Sequence, residues 1–156
     1  MTSGPDVAVN LEQVRPLLED AAARGAQLAV LPEGTSLDFF SGRRNPLREE
    51  IATPGFIPAA AEPQAIAQLQ ASHTDLILVT NRLTAEFGPA VFGRDYSQQL
   101  MQWIDTHYTP CAIFGPVKDD SLQIGAKPFF IRAYCSADAE ARLRAREPRI
   151  GGHGQP

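Results

Sequence analysis

The residues of this chain best suited to chemistry follow two apolar runs. Leu28-Ala-Val-Leu-Pro-Glu-Gly34 carries a glutamate straight into a turn, and Ser41-Gly-Arg-Arg-Asn-Pro46 adds two guanidiniums and an amide. Asn81 and Arg82 close a second run, Asp75-Leu-Ile-Leu-Val-Thr80, and Asp95 and Tyr96 lie in a third polar stretch. A carboxylate at the end of a strand suits general-base work, or it fixes a turn. Adjacent arginines suit a phosphate or a carboxylate. Their plainer uses are solvation or pairing with Glu49 and Glu50. The candidate ligand-binding set is therefore Glu33, Arg43, Arg44, Asn45, Asn81, Arg82, Asp95 and Tyr96. None completes a catalytic constellation, so no catalytic residue is assigned.

Other chemistries find little support. His73, His107 and His153 share no metal-ligand spacing, so no metal is expected. There is neither a GxGxxG after a strand nor a GxxxxGK[ST], so no nucleotide cofactor is expected. Cys111 and Cys135 form no CxxC and no disulfide framework. Cys111 reads as a small core residue, and the redox compartment is not legible from the pair. A net charge of −4 disfavours a nucleic-acid partner. The balance of 44% hydrophobic and 21% charged residues is that of a soluble globular chain. No apolar run is long enough to span a membrane. The first residues lack a basic start and an apolar stretch, so they form no secretory signal. As an isolated chain the protein reads as cytoplasmic.

The elements that must position these residues follow from periodicity and punctuation. Residues 1–9 form a flexible lead-in. Asn10 caps a helix over Leu11–Arg24, which Gly25 ends and Pro16 kinks. Gln27–Leu31 is a strand apolar on both faces, hence central and parallel. The long segment from Thr35 to Pro58, broken by glycines and prolines, is a functional or mobile loop. Pro63 opens a helix to about Ser72, with Ile66 and Leu69 on its buried stripe. Asp75–Thr80 is the second central strand. Asp95 reads as an N-cap with Gln98 three residues on. The helix it opens carries Tyr96, Leu100, Trp103, Ile104 and Tyr108 on one face. Cys111–Gly115 and Phe129–Tyr134 are the last strands. The connection between them has room only for a hairpin, which makes the fourth an antiparallel edge.

The expected fold is α/β: a small three-layer sandwich around a mostly parallel sheet of about four strands, with an antiparallel edge strand. It spans 10–135 as one domain. A basic tail over 136–156 follows, helical at first and disordered beyond. Right-handed crossovers place the loops after the first two strands at one edge of the sheet. Glu33, Arg43, Arg44, Asn45, Asn81 and Arg82 should gather there.

Two resemblances add expectations. Ala29-Val-Leu-Pro-Glu33 resembles the first motif of the nitrilase superfamily. That likeness implies Glu33 as general base beside Lys118 and a nucleophilic Cys135, in a C–N hydrolase. A broader likeness rests on three signatures in order. These are Leu31-Pro-Glu-Gly34 with Arg43-Arg-Asn-Pro46; Thr74-Asp-Leu-Ile-Leu-Val79 with Asn81-Arg82 and Glu86-Phe-Gly88; and Phe92-Gly-Arg-Asp-Tyr96 with Trp103-Ile104 and Tyr108. Over about residues 10–135 the chain resembles the soluble C-terminal domain of bacterial GT-C-type membrane glycosyltransferases, which use polyprenyl-phosphate donors. The resemblance implies a non-catalytic accessory domain. Its partners would be the membrane portion of such an enzyme, or a glycan or polyprenyl-phosphate substrate. As a fragment of such an enzyme, it would lie on the periplasmic side of the inner membrane. A purely structural interaction domain, with Glu33 bonding turn amides, is the remaining alternative.

Overall fold

The structure is a computed structural model of the 156-residue chain and describes residues 27–34, 37, 41–116 and 123–145. The lead-in over 1–9, the helix expected over Leu11–Arg24, Lys118 and the tail beyond 145 lie outside the described residues. In chain order the elements are β1 (Gln27–Leu31), α1 (Glu62–Ala71), β2 (Thr74–Thr80), α2 (Gln98–His107), β3 (Thr109–Phe114), β4 (Ile131–Cys135) and α3 (Ala137–Arg144). Short 3-10 turns occupy Ala59–Ala61 and Ala85–Phe87.

The four strands form one mixed sheet in the order β1-β2-β4-β3. β1 and β2 are parallel, with Leu28 opposite Leu76 and Leu31 opposite Val79. β4 runs antiparallel to both β2 and β3, pairing Leu76 with Cys135 and Phe114 with Ile131. The expectation of a mostly parallel sheet with the fourth strand at its edge is thus corrected. β1, β2 and β3 do point the same way, but β4 inserts between β2 and β3, so β3 is the edge. The hairpin forces β4 to run opposite to β3. Docking on β2 then gives β4 a hydrogen-bonded neighbour on each side. Burial agrees: Ile131, Ala133, Tyr134 and Cys135 are buried, whereas Thr109 and Pro110 are exposed. Pro110 has no N–H to give a ladder, which suits an edge strand.

Alternation along the strands splits the core in two. Ala29, Leu31, Ile77, Val79 and Tyr134 face α1 and α2, where Leu69, Leu100 and Ile104 are fully buried. Leu28, Val30, Leu76, Leu78, Ile131 and Ala133 face the other way and form a second cluster with Leu37, and Ala139 of α3 packs against that cluster. Each such large side chain contributes about 1.5–3 kcal/mol before entropy costs. α1 begins with Pro63 in its first turn, where the missing N–H is no loss. It ends at a left-handed His73 (φ 50°), whose N–H returns to the Gln70 carbonyl. α3 is capped by Ser136, whose hydroxyl accepts from the Ala139 N–H at 3.2 Å. Arg142 holds Asp75 at 2.7 Å. The first part of the tail is therefore docked on the sheet.

Cys111 and Cys135 are joined in a disulfide, with their Cα atoms 5.8 Å apart. This corrects the reading of Cys111 as a plain core residue and of the pair as unconnected. A register shift between Pro110 and Ala112 leaves Cys111 out of the ladder, close to Cys135 on the neighbouring strand. The bond staples the edge strand to the interior one.

Candidate functional site

Because β1 and β2 are parallel, their carboxyl ends lie side by side. In open α/β sheets this is where ligands bind. Leu31 leads through a cis peptide into Pro32, then Glu33 and Gly34. Only glycine fits at the last position, since a Cβ there would fall 2.0 Å from Val30 Cγ1. The Thr80 hydroxyl lies 3.3 Å from the Leu31 carbonyl oxygen and 3.4 Å from that of Glu33, and donates between them. Arg82 then meets Glu33 directly. Its Nε donates to Glu33 Oε2 at 2.5 Å, Nη2 to Glu86 Oε1 at 2.6 Å, and Nη1 to the Leu83 carbonyl at 2.9 Å. The Glu33 hydrogen bond raises the Arg82 pKa above its ordinary value. Glu86 is held below the usual carboxylate range, first by its own backbone N–H and then by Arg82. All three side chains remain about 40% exposed, between 38% and 47%, so solvent screens the clasp and it contributes little to stability.

Asn81 is buried and fully engaged. It exchanges two hydrogen bonds with Phe130, from its own N–H to the Phe130 carbonyl and from the Phe130 N–H to its Oδ1. Its Nδ2 donates to the carbonyls of Ala126 (2.5 Å) and Pro128 (3.2 Å). This fixes the 126–130 segment, with its cis Lys127–Pro128 peptide, beside the end of β2. Between the two lies an open groove of about 790 Å³, lined by Asn81, Arg82, Leu83, Ala126, Lys127, Pro128 and Phe129. Leu83 and Phe129 are 38% and 42% exposed there.

The loop after β1 behaves differently. Asn45 closes a local turn, accepting from the Leu47 N–H and donating to the Glu49 carbonyl, each at 3.0 Å. Leu47, Ala52 and Ile57 are buried in the core. The Ala52 N–H donates to Pro32 O at 2.6 Å, and the Arg48 N–H to Gln68 Oε1 at 3.0 Å. Residues 45–57 are therefore pinned against the core. Arg44 is exposed and Arg43 half-buried, and the Glu33 carboxylate goes to Arg82 rather than to either. So the structure brings together Glu33, Arg82 and Asn81, and gives Asn45 a turn-forming task.

Asp95 is not the N-cap of α2. Its Oδ2 accepts from the N–H groups of Ala90 (3.2 Å) and Val91 (3.0 Å), and Oδ1 accepts from Arg94 at 2.8 Å. Arg94, opposed by desolvation and aided by those amides, pulls its pKa down to about 2. The helix starts two residues later, after a left-handed Ser97 (φ 51°) that supplies no side-chain cap. Glu62 of α1 supplies one instead. It is 3% exposed, and its Oε2 accepts from the Leu100 N–H at 2.8 Å. Tyr96 is half-buried, edge-on to Phe92 with ring centres 5.7 Å apart, and burial raises its phenol pKa.

Among the described residues no cluster of His, Cys, Asp or Glu could hold a metal. His107 instead stacks on Trp103 at 5.1 Å and bonds the Trp103 carbonyl. The thiol nucleophile implied by the nitrilase likeness is corrected as well: Cys135 is buried and spent in the disulfide. The candidate set missed Leu83, Lys127 and Phe129 of the groove, and also Glu86 and Glu62. Glu86 stands four residues after Arg82, the spacing of a local ion pair. Glu62 stands in the first turn of α1, where an acid is common. Nothing local marked Phe129 as a groove wall. Searches against protein-family models, curated proteins and solved structures give no match to this chain. No helix among the described residues is long and apolar enough to cross a membrane.

Proposed function

We propose that this domain is a binding module without chemistry of its own. Its ligand is an amphiphile with an acidic head, a phosphate monoester or carboxylate on an apolar chain, held in the groove at the carboxyl ends of β1 and β2. One observation carries this reading: Arg82 and Lys127 flank exposed Leu83, Pro128 and Phe129 in a single groove. Apolar walls with a few polar groups are the usual composition of a small-molecule site. The Lys127 ammonium selects an anionic head, which competes with Glu33 and Glu86 for the Arg82 guanidinium. The described lining offers no thiol, hydroxyl or imidazole, which favours binding over catalysis.

The likeness to the soluble domain of polyprenyl-phosphate-dependent glycosyltransferases supports the same ligand class. It makes the membrane portion of such an enzyme, or its glycan, the natural partner. The disulfide favours the periplasmic side for such a partner, because disulfides persist in oxidising compartments.

The test is calorimetric titration of the protein with octyl phosphate and with octylamine, which share a chain and differ in head charge. Octyl phosphate should bind at least about tenfold tighter, a difference of about 1.4 kcal/mol, and Lys127→Ala should remove most of that margin. Equal affinity for the two heads, or no saturable binding, would contradict the reading.

A further inference from the structure

A second recess, of about 400 Å³, lies at the amino end of α2, and Glu62, Asp95, Tyr96, Ser97, Gln98 and Gln99 are among its lining residues. Its polar groups are unusual in having capacity to spare. The Ser97 hydroxyl is buried and has no hydrogen-bond partner, in a residue only 4% exposed. The backbone N–H groups of Gln98 and Gln99 have no partner among the described residues, because the only first-turn amide that is capped is that of Leu100. The Gln98 and Gln99 side-chain amides donate to the carbonyls of Arg94 and Ala59, which leaves their own carbonyl oxygens available. Glu62 is held in place by α2 and commits Oε2 alone.

The charge of the recess narrows the ligand. A bare helix N-terminus attracts anions, but here the buried Glu62 carboxylate already occupies that positive end. Asp95 is likewise matched by Arg94. Neither a strong anion nor a strong cation finds an uncompensated partner. What remains is an array of donors and acceptors between apolar walls, Pro54, Pro58 and Pro89. A hydroxyl both donates and accepts, so a ring carrying several of them meets such an array on both counts. The volume, near the lower end of ligand pockets, suits one or two small rings.

We infer that this recess is a binding site for a neutral polyhydroxylated ligand such as a sugar ring, recognised by Ser97, Gln98, Gln99 and Glu62. The site is separate from the groove at the strand ends and does not depend on it. The experiment is amide chemical-shift mapping of the isotopically labelled full chain during titration with methyl glucoside, methyl galactoside, methyl mannoside and inositol. Methylammonium and inorganic phosphate serve as charged controls. At least one neutral polyol should bind saturably, with the largest shifts at the Gln98 and Gln99 amides. Gln99→Ala, at an exposed position, should weaken it about tenfold while leaving the remaining spectrum in place. Ser97→Ala should weaken it independently. Absence of saturable binding by all four polyols would overturn the inference. So would preference for either charged control, shifts centred elsewhere, or unchanged affinity in both variants.

Discussion

Glu33 and Glu62 are both glutamates at the boundary of a regular element, and the fold uses them in opposite ways. Glu33 ends β1 in solvent and shares Arg82 with Glu86, each side chain near 40% exposed. Glu62 starts α1, is 3% exposed, and ties α1 to α2 through the Leu100 N–H. At the strand ends two carboxylates share one guanidinium in water and remain exchangeable, so a ligand can compete for Arg82. At the start of α2 the carboxylate is locked into the fold, and the groups around it keep spare hydrogen-bonding capacity. A carboxylate's place in the sequence therefore says less about its use than which backbone groups it must satisfy.

The largest effect should come from the staple beside the first region. Replacing Cys111 and Cys135 together by serine should cost about 2–4 kcal/mol in a denaturant titration. Hydrogen exchange should accelerate in β3, β4 and the groove wall while α1 and α2 keep their relative protection. Uniform loss of protection would mean that the two regions are one cooperative unit. Next come the two glutamates themselves. Glu62→Ala leaves a buried N–H without its acceptor and should cost about 1–3 kcal/mol. Glu33→Ala should stay within about 0.5 kcal/mol, as surface changes do. Equal costs would erase the contrast drawn above.

The smallest effect is a pH dependence at the approach to α2. Asp95 has a folded-state pKa depressed to about 2, against an ordinary carboxylate value of about 3.9. Its contribution is therefore present above the unfolded value and fades as pH falls through the folded one. Between about pH 4 and 2, wild type should lose slightly more stability than Asp95→Asn. A carboxyl carbon resonance of Asp95 titrating near pH 4 would contradict this assignment.

Much of the frame was legible in the chain. The two-faced apolar runs Leu28–Leu31 and Leu76–Val79 mark adjacent buried strands, and the strand-end rule places Glu33 beside Arg82. The spacing of Leu100 and Ile104 marks the buried face of α2. What stayed hidden depended on non-local choices. A hairpin fixes the direction of β4 but not which edge it joins, and Pro110, which lies within β3, suits the outer strand only once that strand's extent is known. Cys111 and Cys135 become neighbours only once the β3–β4 register is set. The Asp95–Gln98 spacing has the form of a capping box, but the Ala90 and Val91 amides claimed the Asp95 carboxylate and the helix began later. Arg43, Arg44 and Asn45 follow a loop whose path is dictated by the burial of Leu47, Ala52 and Ile57, which local chemistry does not reveal.

The most direct measurement is an amide chemical-shift map of the labelled protein titrated with octyl phosphate. Saturable shifts should concentrate at Arg82, Leu83, Ala126, Lys127 and Phe129, with Arg43, Arg44 and Asn45 unmoved. Shifts centred on residues 43–45, or none that saturate, would contradict that placement.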